Sequence, residues 1–149
     1  MMPFEIYAYK EFELYGSEMP ESELDLDLIR NLGIQVIISL DEGIQEYPKY
    51  IAIKQEFEHH EFFIIDYEIP TNKQIKEIID IITKAREKKK AVLIHCLAGC
   101  GRTGLILALV ERFIYGTNDG KEAIAKVRKI RPCAIETQKQ YNFVVNYTM

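Results

Sequence analysis

The sequence predicts an α/β fold, a single compact domain with a mostly parallel central sheet of about four or five strands and helices on both faces. Three observations predict it. Gln35-Val36-Ile37-Ile38-Ser39-Leu40 and Ala91-Val92-Leu93-Ile94 are short, nearly continuous apolar runs of the kind that sheets covered on both faces contain. Strand-like runs alternate with segments of helical period, which implies parallel strands joined by crossovers. The second run passes through a glycine-bearing turn into a nearly all-apolar helix, Leu105 to Val110. With 149 residues and 48% hydrophobic content the chain can fill one core, and no Pro/Gly/Ser-rich linker, repeat or low-complexity tract divides residues 1–149.

In chain order, Ile6 to Tyr9 and Glu13 to Tyr15 read as edge strands, and Ser22 to Leu32 as a helix stopped by Gly33. The buried strand Gln35 to Leu40 follows. Glu42 to Glu61 carries no clear period, and Pro48 excludes a helix interior there. His59 and His60 read as decoration of a polar surface loop. Phe62-Phe63-Ile64-Ile65 reads as a strand. Thr71-x-x-Gln74 is a capping box for a helix towards Lys88 that lines up Ile75, Ile78, Ile79 and Ile82. Arg86-Glu87-Lys88-Lys89-Lys90 closes that helix where cations suit its dipole. The strand at Ala91 and the helix to Tyr115, closed by Gly116, come next. Helices from about Asp119 to Ile130 and from Thr137 onward complete the pattern.

The chemistry concentrates in His95-Cys96-Leu97-Ala98-Gly99-Cys100-Gly101-Arg102-Thr103-Gly104. A strand that turns so sharply into a helix lines the amides of Leu97, Ala98, Gly99, Cys100, Gly101 and Arg102 into a concave nest of positive partial charge, which the helix dipole reinforces. The natural occupant is a phosphoryl group, so this is a phosphate-binding loop at a strand carboxyl end, where such sheets bind ligands. Arg102 can hold two phosphoryl oxygens with its planar fork. Cys96 lies at the floor, where the same groups favour its thiolate, and a thiolate facing phosphorus is a nucleophile. Thr103 is placed to hydrogen-bond the sulfur and help it leave.

Six fixed positions (His95, Cys96, Gly99, Arg102, Thr103, Gly104) recur by chance on the order of 10⁻⁸ per start site at average residue usage. The segment resembles the His-Cys-x5-Arg-Ser/Thr signature of cysteine-dependent protein phosphatases, the tyrosine and dual-specificity group, with small archaeal-type and kinase-associated members as the likeness. Ser17-Glu18-Met19-Pro20 is like the entry of the small archaeal-type relatives, although the first sixty residues match only loosely.

That resemblance implies a catalytic acid on an upstream loop, four residues before a proline. Asp66, in Asp66-Tyr67-Glu68-Ile69-Pro70, has that spacing, and Glu68 competes with it. It implies a Gln-Thr-x-x-Gln pattern that positions the hydrolytic water. Gln140 fits the second glutamine and Glu136 replaces the first, where a carboxylate could orient water or act as base. The alternative reading of Glu136-Thr137 is a capped helix start. His95 reads as a buried residue that orients the loop. Cys100 stands where similar phosphoinositide phosphatases carry lysine, which argues against a polyphosphorylated lipid. Cys100 or Cys133 could trap an oxidised Cys96 as a disulfide; otherwise they are packed thiols.

No cofactor and no metal is expected, since Cys96 and Cys100 lack the paired spacing of zinc ligands. Three cysteines without a basic and apolar leader fit a reducing compartment, the cytoplasm, and no apolar stretch approaches the length of a membrane span. The formal net charge of -4 gives no general attraction to nucleic acid. The leading expectation is a hydrolase acting on phosphotyrosine, extending to phosphoserine and phosphothreonine, in a phosphorylated protein or peptide, through a cysteinyl-phosphate intermediate. An RNA 5′-phosphatase or triphosphatase and a non-catalytic phosphoprotein-binding module are the alternatives.

Overall fold

The computed structural model describes residues 3–149. Within them the strands are β1 (Ile6–Lys10), β2 (Leu14–Ser17), β3 (Ile34–Ser39), β4 (Glu58–Glu61) and β5 (Ala91–His95). They form one sheet in the order β1-β2-β5-β3-β4, antiparallel between β1 and β2 and parallel elsewhere. The helices are α1 (Glu23–Asn31), α2 (Tyr50–Glu56), α3 (Asn72–Glu87), α4 (Gly101–Phe113), α5 (Gly120–Ile130) and α6 (Gln138–Asn146), with a 3-10 turn at Glu42–Glu46.

Strand alternation divides the core. Ile37 and Leu93 point to one face, where Leu26, Ile29, Ile44 and Ile53 cover them from α1, the 3-10 turn and α2. Val36, Ile38, Val92 and Ile94 point to the other, against Ile75, Ile78 and Ile82 of α3 and the apolar length of α4. Both faces are dry, which is why these strands carry nearly unbroken apolar runs. Helix α4 is buried from Gly101 to Glu111 because α5 and α6 close over the side that the sheet leaves free.

The caps fall where the sequence places them. Ser22 caps α1 and Thr71 caps α3, each in a reciprocal capping box, and Gly33 follows α1 at φ +77°.

Three elements differ from expectation. The strand read at Glu13 to Tyr15 is interior, because β1 folds back to cover its outer side. The apolar run Phe62 to Ile65 is an extended connector; the strand is the polar Glu58–Glu61 before it. As an edge strand β4 needs only its ladder to β3, so no apolar alternation marks it, and the Phe62 and Ile64 amides prolong that ladder by donating to the Ser39 and Leu40 carbonyls. His59 and His60 therefore lie in β4 rather than in a surface loop, and His59 has a side chain only 2% exposed. Among the described residues no helix is long and apolar enough to cross a membrane, and no three His, Cys, Asp or Glu side chains converge as a metal-binding group.

Candidate active site

The carboxyl ends of β3, β4 and β5 bring three segments together: Asp41 after β3, Asp66 on the loop beyond β4, and Cys96 immediately after β5. The loop from Cys96 to Arg102 owes its curvature to a set of outward carbonyls. Leu97 C=O accepts from the Met19 amide at 2.8 Å, and Ala98 C=O from Arg131 Nη2 at 2.9 Å. Gly99 C=O accepts from the Tyr7 hydroxyl at 2.8 Å and Arg131 Nε at 3.3 Å. Cys100 C=O accepts from the Gly104 amide at 2.8 Å. With the carbonyls held outside, the amides face inward, and those of Leu97, Ala98, Gly99 and Cys100 have no protein partner among the described residues. That is the geometry of an anion nest.

Arg102, 2% exposed, sits in the first turn of α4. Its Nη1 donates to Asp41 Oδ1 at 2.8 Å and to the Ile64 carbonyl at 2.7 Å, and its Nη2 lies 3.4 Å from Asp66 Oδ1. Nε is buried without a partner among the described residues. A cleft of about 200 Å³ lined by Asp41, Glu42, Phe63, Ile64, Ile65, Asp66 and Arg102 opens beside the guanidinium. Leu97, on the nest loop itself, and Ile65 and Tyr67, on the loop that carries Asp66, are exposed apolar side chains.

Cys96 is buried, and the Thr103 hydroxyl donates to its sulfur at 3.1 Å. Behind it runs a directed chain of hydrogen bonds. His95 Nδ1 lies 3.1 Å from the Cys96 carbonyl, which only accepts, so Nδ1 carries the proton and Nε2 is an acceptor. Ser39 Oγ donates to that Nε2 at 2.6 Å and accepts from His59 Nε2 at 2.8 Å. His59 Nδ1 is left bare and buried, 3.6 Å from Glu61 Oε1.

Burial pushes both histidines down to about 4 from their usual value near 6.5, so the folded state holds them neutral. The unfolded chain binds more protons between those values; the resulting stability is full above about 6.5 and is lost as pH falls towards 4. From His95 alone the expected loss by pH 5 is about 2 kcal/mol. Urea unfolding at pH 7 and pH 5 checks this, and an unchanged midpoint would count against a neutral pair.

The acid loop separates the two competing carboxylates. Tyr67 adopts φ +66° in a tight turn closed by the Glu68 amide on the Ile65 carbonyl. The turn leaves Asp66 towards Arg102 and sends Glu68 outward to Lys139, at 2.6 Å. Glu136 Oε1 accepts from the Gly101 amide at 3.0 Å, so this carboxylate holds a donor that the sequence assigns to substrate. Gln140 is buried. Its Oε1 accepts from the Glu136 and Thr137 amides, completing the capping box of α6, and its Nε2 donates to the Glu68 carbonyl at 3.2 Å. Thus the capped helix start is present, and both residues also lie against the site.

Cys100 is bonded to Cys133, with Cα atoms 5.2 Å apart. The expectation of two packed thiols, or of a bridge to Cys96, is corrected: at the start of α4 the Cys100 side chain leaves the nest on its outer side, where the segment after α5 passes. Sequence reasoning missed Asp41, Tyr7 and Arg131, which hold the cradle from distant segments. Nothing in the sequence around them marks any of the three, and Asp41, just past a buried strand, is half-buried.

A family model described as "PTP-SAK: Swiss Army Knife protein, DSP-PTPase phosphatase domain" matches residues 8–144. The chain is 29% identical to the dual specificity protein phosphatase CDC14C of Homo sapiens over 134 residues, 90% of this chain and 28% of that protein. It spans about half the length of other curated relatives that it matches. The structure of Tk-PTP in its active form is 30% identical, with a TM-score of 0.81, covering 95% of this chain and 94% of that one. A kinase associated phosphatase with serine in place of its catalytic-site cysteine shares the fold at 24% identity and a TM-score of 0.82, covering 97% and 93%. A match to nearly the whole chain, on a fold that carries the cradle at the expected strand end, makes this protein a member of the DSP-PTPase phosphatase domain family.

Proposed function

We propose that this chain hydrolyses phosphotyrosine, and also phosphoserine and phosphothreonine, in phosphorylated proteins or peptides through a cysteinyl-phosphate intermediate. The observation that carries the reading is one arrangement: the Cys96 sulfur, bonded by Thr103, at the base of a nest of unpartnered amides beside a guanidinium edge with a free buried Nε.

In the first step the Cys96 thiolate attacks phosphorus and the bond to the ester oxygen breaks. Amides of Leu97, Ala98, Gly99 and Cys100 and the Arg102 fork take the equatorial oxygens, whose charge is held in the transition state. Asp66 gives its proton to the departing oxygen. In the second step water attacks the phosphocysteine, Asp66 takes up the water proton, and the sulfur leaves as thiolate with the Thr103 hydroxyl bonded to it. In this reading Glu136, beside Gly101, orients that water, with Gln140 buried behind it. The exposed Ile65, Tyr67 and Leu97 offer apolar surface to the phenyl ring of phosphotyrosine.

Acid quenching of a reaction with a phosphotyrosine peptide, followed by mass spectrometry, is expected to find phosphate on Cys96. Steady turnover with unmodified Cys96 would overturn the proposal, as would release from triphosphorylated RNA far above that from phosphopeptides. Asp66→Asn is expected to slow poor leaving groups by roughly 10²- to 10⁴-fold and an activated aryl phosphate much less. A uniform loss across leaving groups would remove Asp66 as the acid.

A further inference from the structure

We propose that Asp41 is a positioning residue that turns the phosphate-binding edge of Arg102 into the cradle, an assignment that rests on the phosphatase reading above. A guanidinium has two edges on which pairs of N–H bonds run side by side, and only one holds both Nε and Nη2. In this site Nη1 is saturated from outside: Asp41 Oδ1 takes it at 2.8 Å and the Ile64 carbonyl at 2.7 Å. Those two bonds fix the plane of the group and its rotation. The edge left over is Nε with Nη2, and Nε, although buried, has no partner among the described residues. A planar oxyanion contact along that edge completes the arginine, and Nη2 then exchanges its 3.4 Å contact with Asp66 for a phosphoryl oxygen.

Asp41 is itself held rigidly. It caps the 3-10 turn, its Oδ2 accepting from the Gly43 amide at 2.9 Å. A Cβ on Gly43 would stand 2.8 Å from that same oxygen, so the close approach depends on glycine there. One carboxylate therefore serves two donors with its two oxygens, Gly43 N–H on one and Arg102 on the other. This division makes the test clean. Asparagine and serine cap helices about as well as aspartate, yet neither offers two acceptor oxygens of this kind. In Asp41→Asn one oxygen remains for Gly43, and the amide nitrogen meets Arg102 donor to donor. In Asp41→Ser the hydroxyl can reach Gly43 and falls short of the guanidinium.

The experiment measures binding of inorganic phosphate and of vanadate by calorimetry, alongside Tm, the rate of Cys96 alkylation by iodoacetate, and kcat and KM for an aryl phosphate. Both variants are expected to lose oxyanion affinity by roughly ten- to a hundredfold, the scale of one hydrogen bond to a charged group. Tm is expected to stay within a few degrees, about the range of a conserved cap. Affinity within twofold of the parent would overturn the proposal. So would a loss of affinity matched by a large fall in Tm in both variants, which would make Asp41 a folding cap only. Because oxyanion binding needs no turnover, a parent that binds phosphate without hydrolysing esters would overturn the phosphatase reading while the Asp41 comparison is still read.

Discussion

Replacing Cys96 with serine is expected to reduce hydrolysis of para-nitrophenyl phosphate to background, a fall of at least about a thousandfold of the kind seen when a nucleophile is removed. The change is nearly isosteric, so the buried site keeps its packing, and stability is expected to move by less than about 1.5 kcal/mol. What changes is the attacking atom. Sulfur is intrinsically a strong nucleophile, whereas a serine hydroxyl needs an adjacent base to take its proton. His95 cannot serve, because its one free nitrogen already accepts from Ser39. The nest is untouched, so the variant is expected to bind phosphopeptide and hold it. Parent-like turnover by Cys96→Ser would end the covalent mechanism; loss of binding together with turnover would show that serine disturbs the cradle.

Gly99→Ala is expected to abolish oxyanion binding and to cut kcat/KM by at least about a hundredfold, since a small misplacement of reacting groups carries that cost. Gly99 has φ +74°, and a Cβ there would lie 2.6 Å from the carbonyl carbon of Ser17, 2.7 Å from its oxygen and 2.8 Å from the Glu18 amide. All three are main-chain atoms at the end of β2 and cannot step aside. The loop must move instead, carrying its amides out of register. Gly33→Ala is the control, because it has nearly the same φ, +77°, with nothing within 4 Å. It is expected to cost only left-handed strain, about 1–3 kcal/mol, with catalysis intact. Equal activity of the two variants would show that the contact with β2 is not what fixes the loop.

The cradle was legible because it is local: ten consecutive residues specify its turn, nucleophile and arginine, and the adjoining strand and helix are apolar enough to read. The capping boxes at Thr71 and Thr137 were legible for the same reason. What escaped depends on pairing across the sheet. Asp41 meets Arg102 across 61 positions, and Tyr7 meets Gly99 across 92. Nothing in their neighbours' sequence marks either. β4 escaped because a ladder at the sheet edge asks little of its side chains. His59 escaped because its polar neighbours imply water, whereas its partner Ser39 comes from a buried strand. The competition between Asp66 and Glu68 was undecidable from strand alternation, since the chain there turns through a left-handed residue.

The bridge between Cys100 and Cys133 makes Cys96 the sole reduced sulfhydryl among the described residues. A labelling reagent therefore counts working sites one for one, with no correction for bystanders. It also means that a sulfenate formed at this position has no free cysteine of its own chain to meet, so its reversible routes are a backbone nitrogen or a small thiol from solution, and further oxidation to sulfinate loses it.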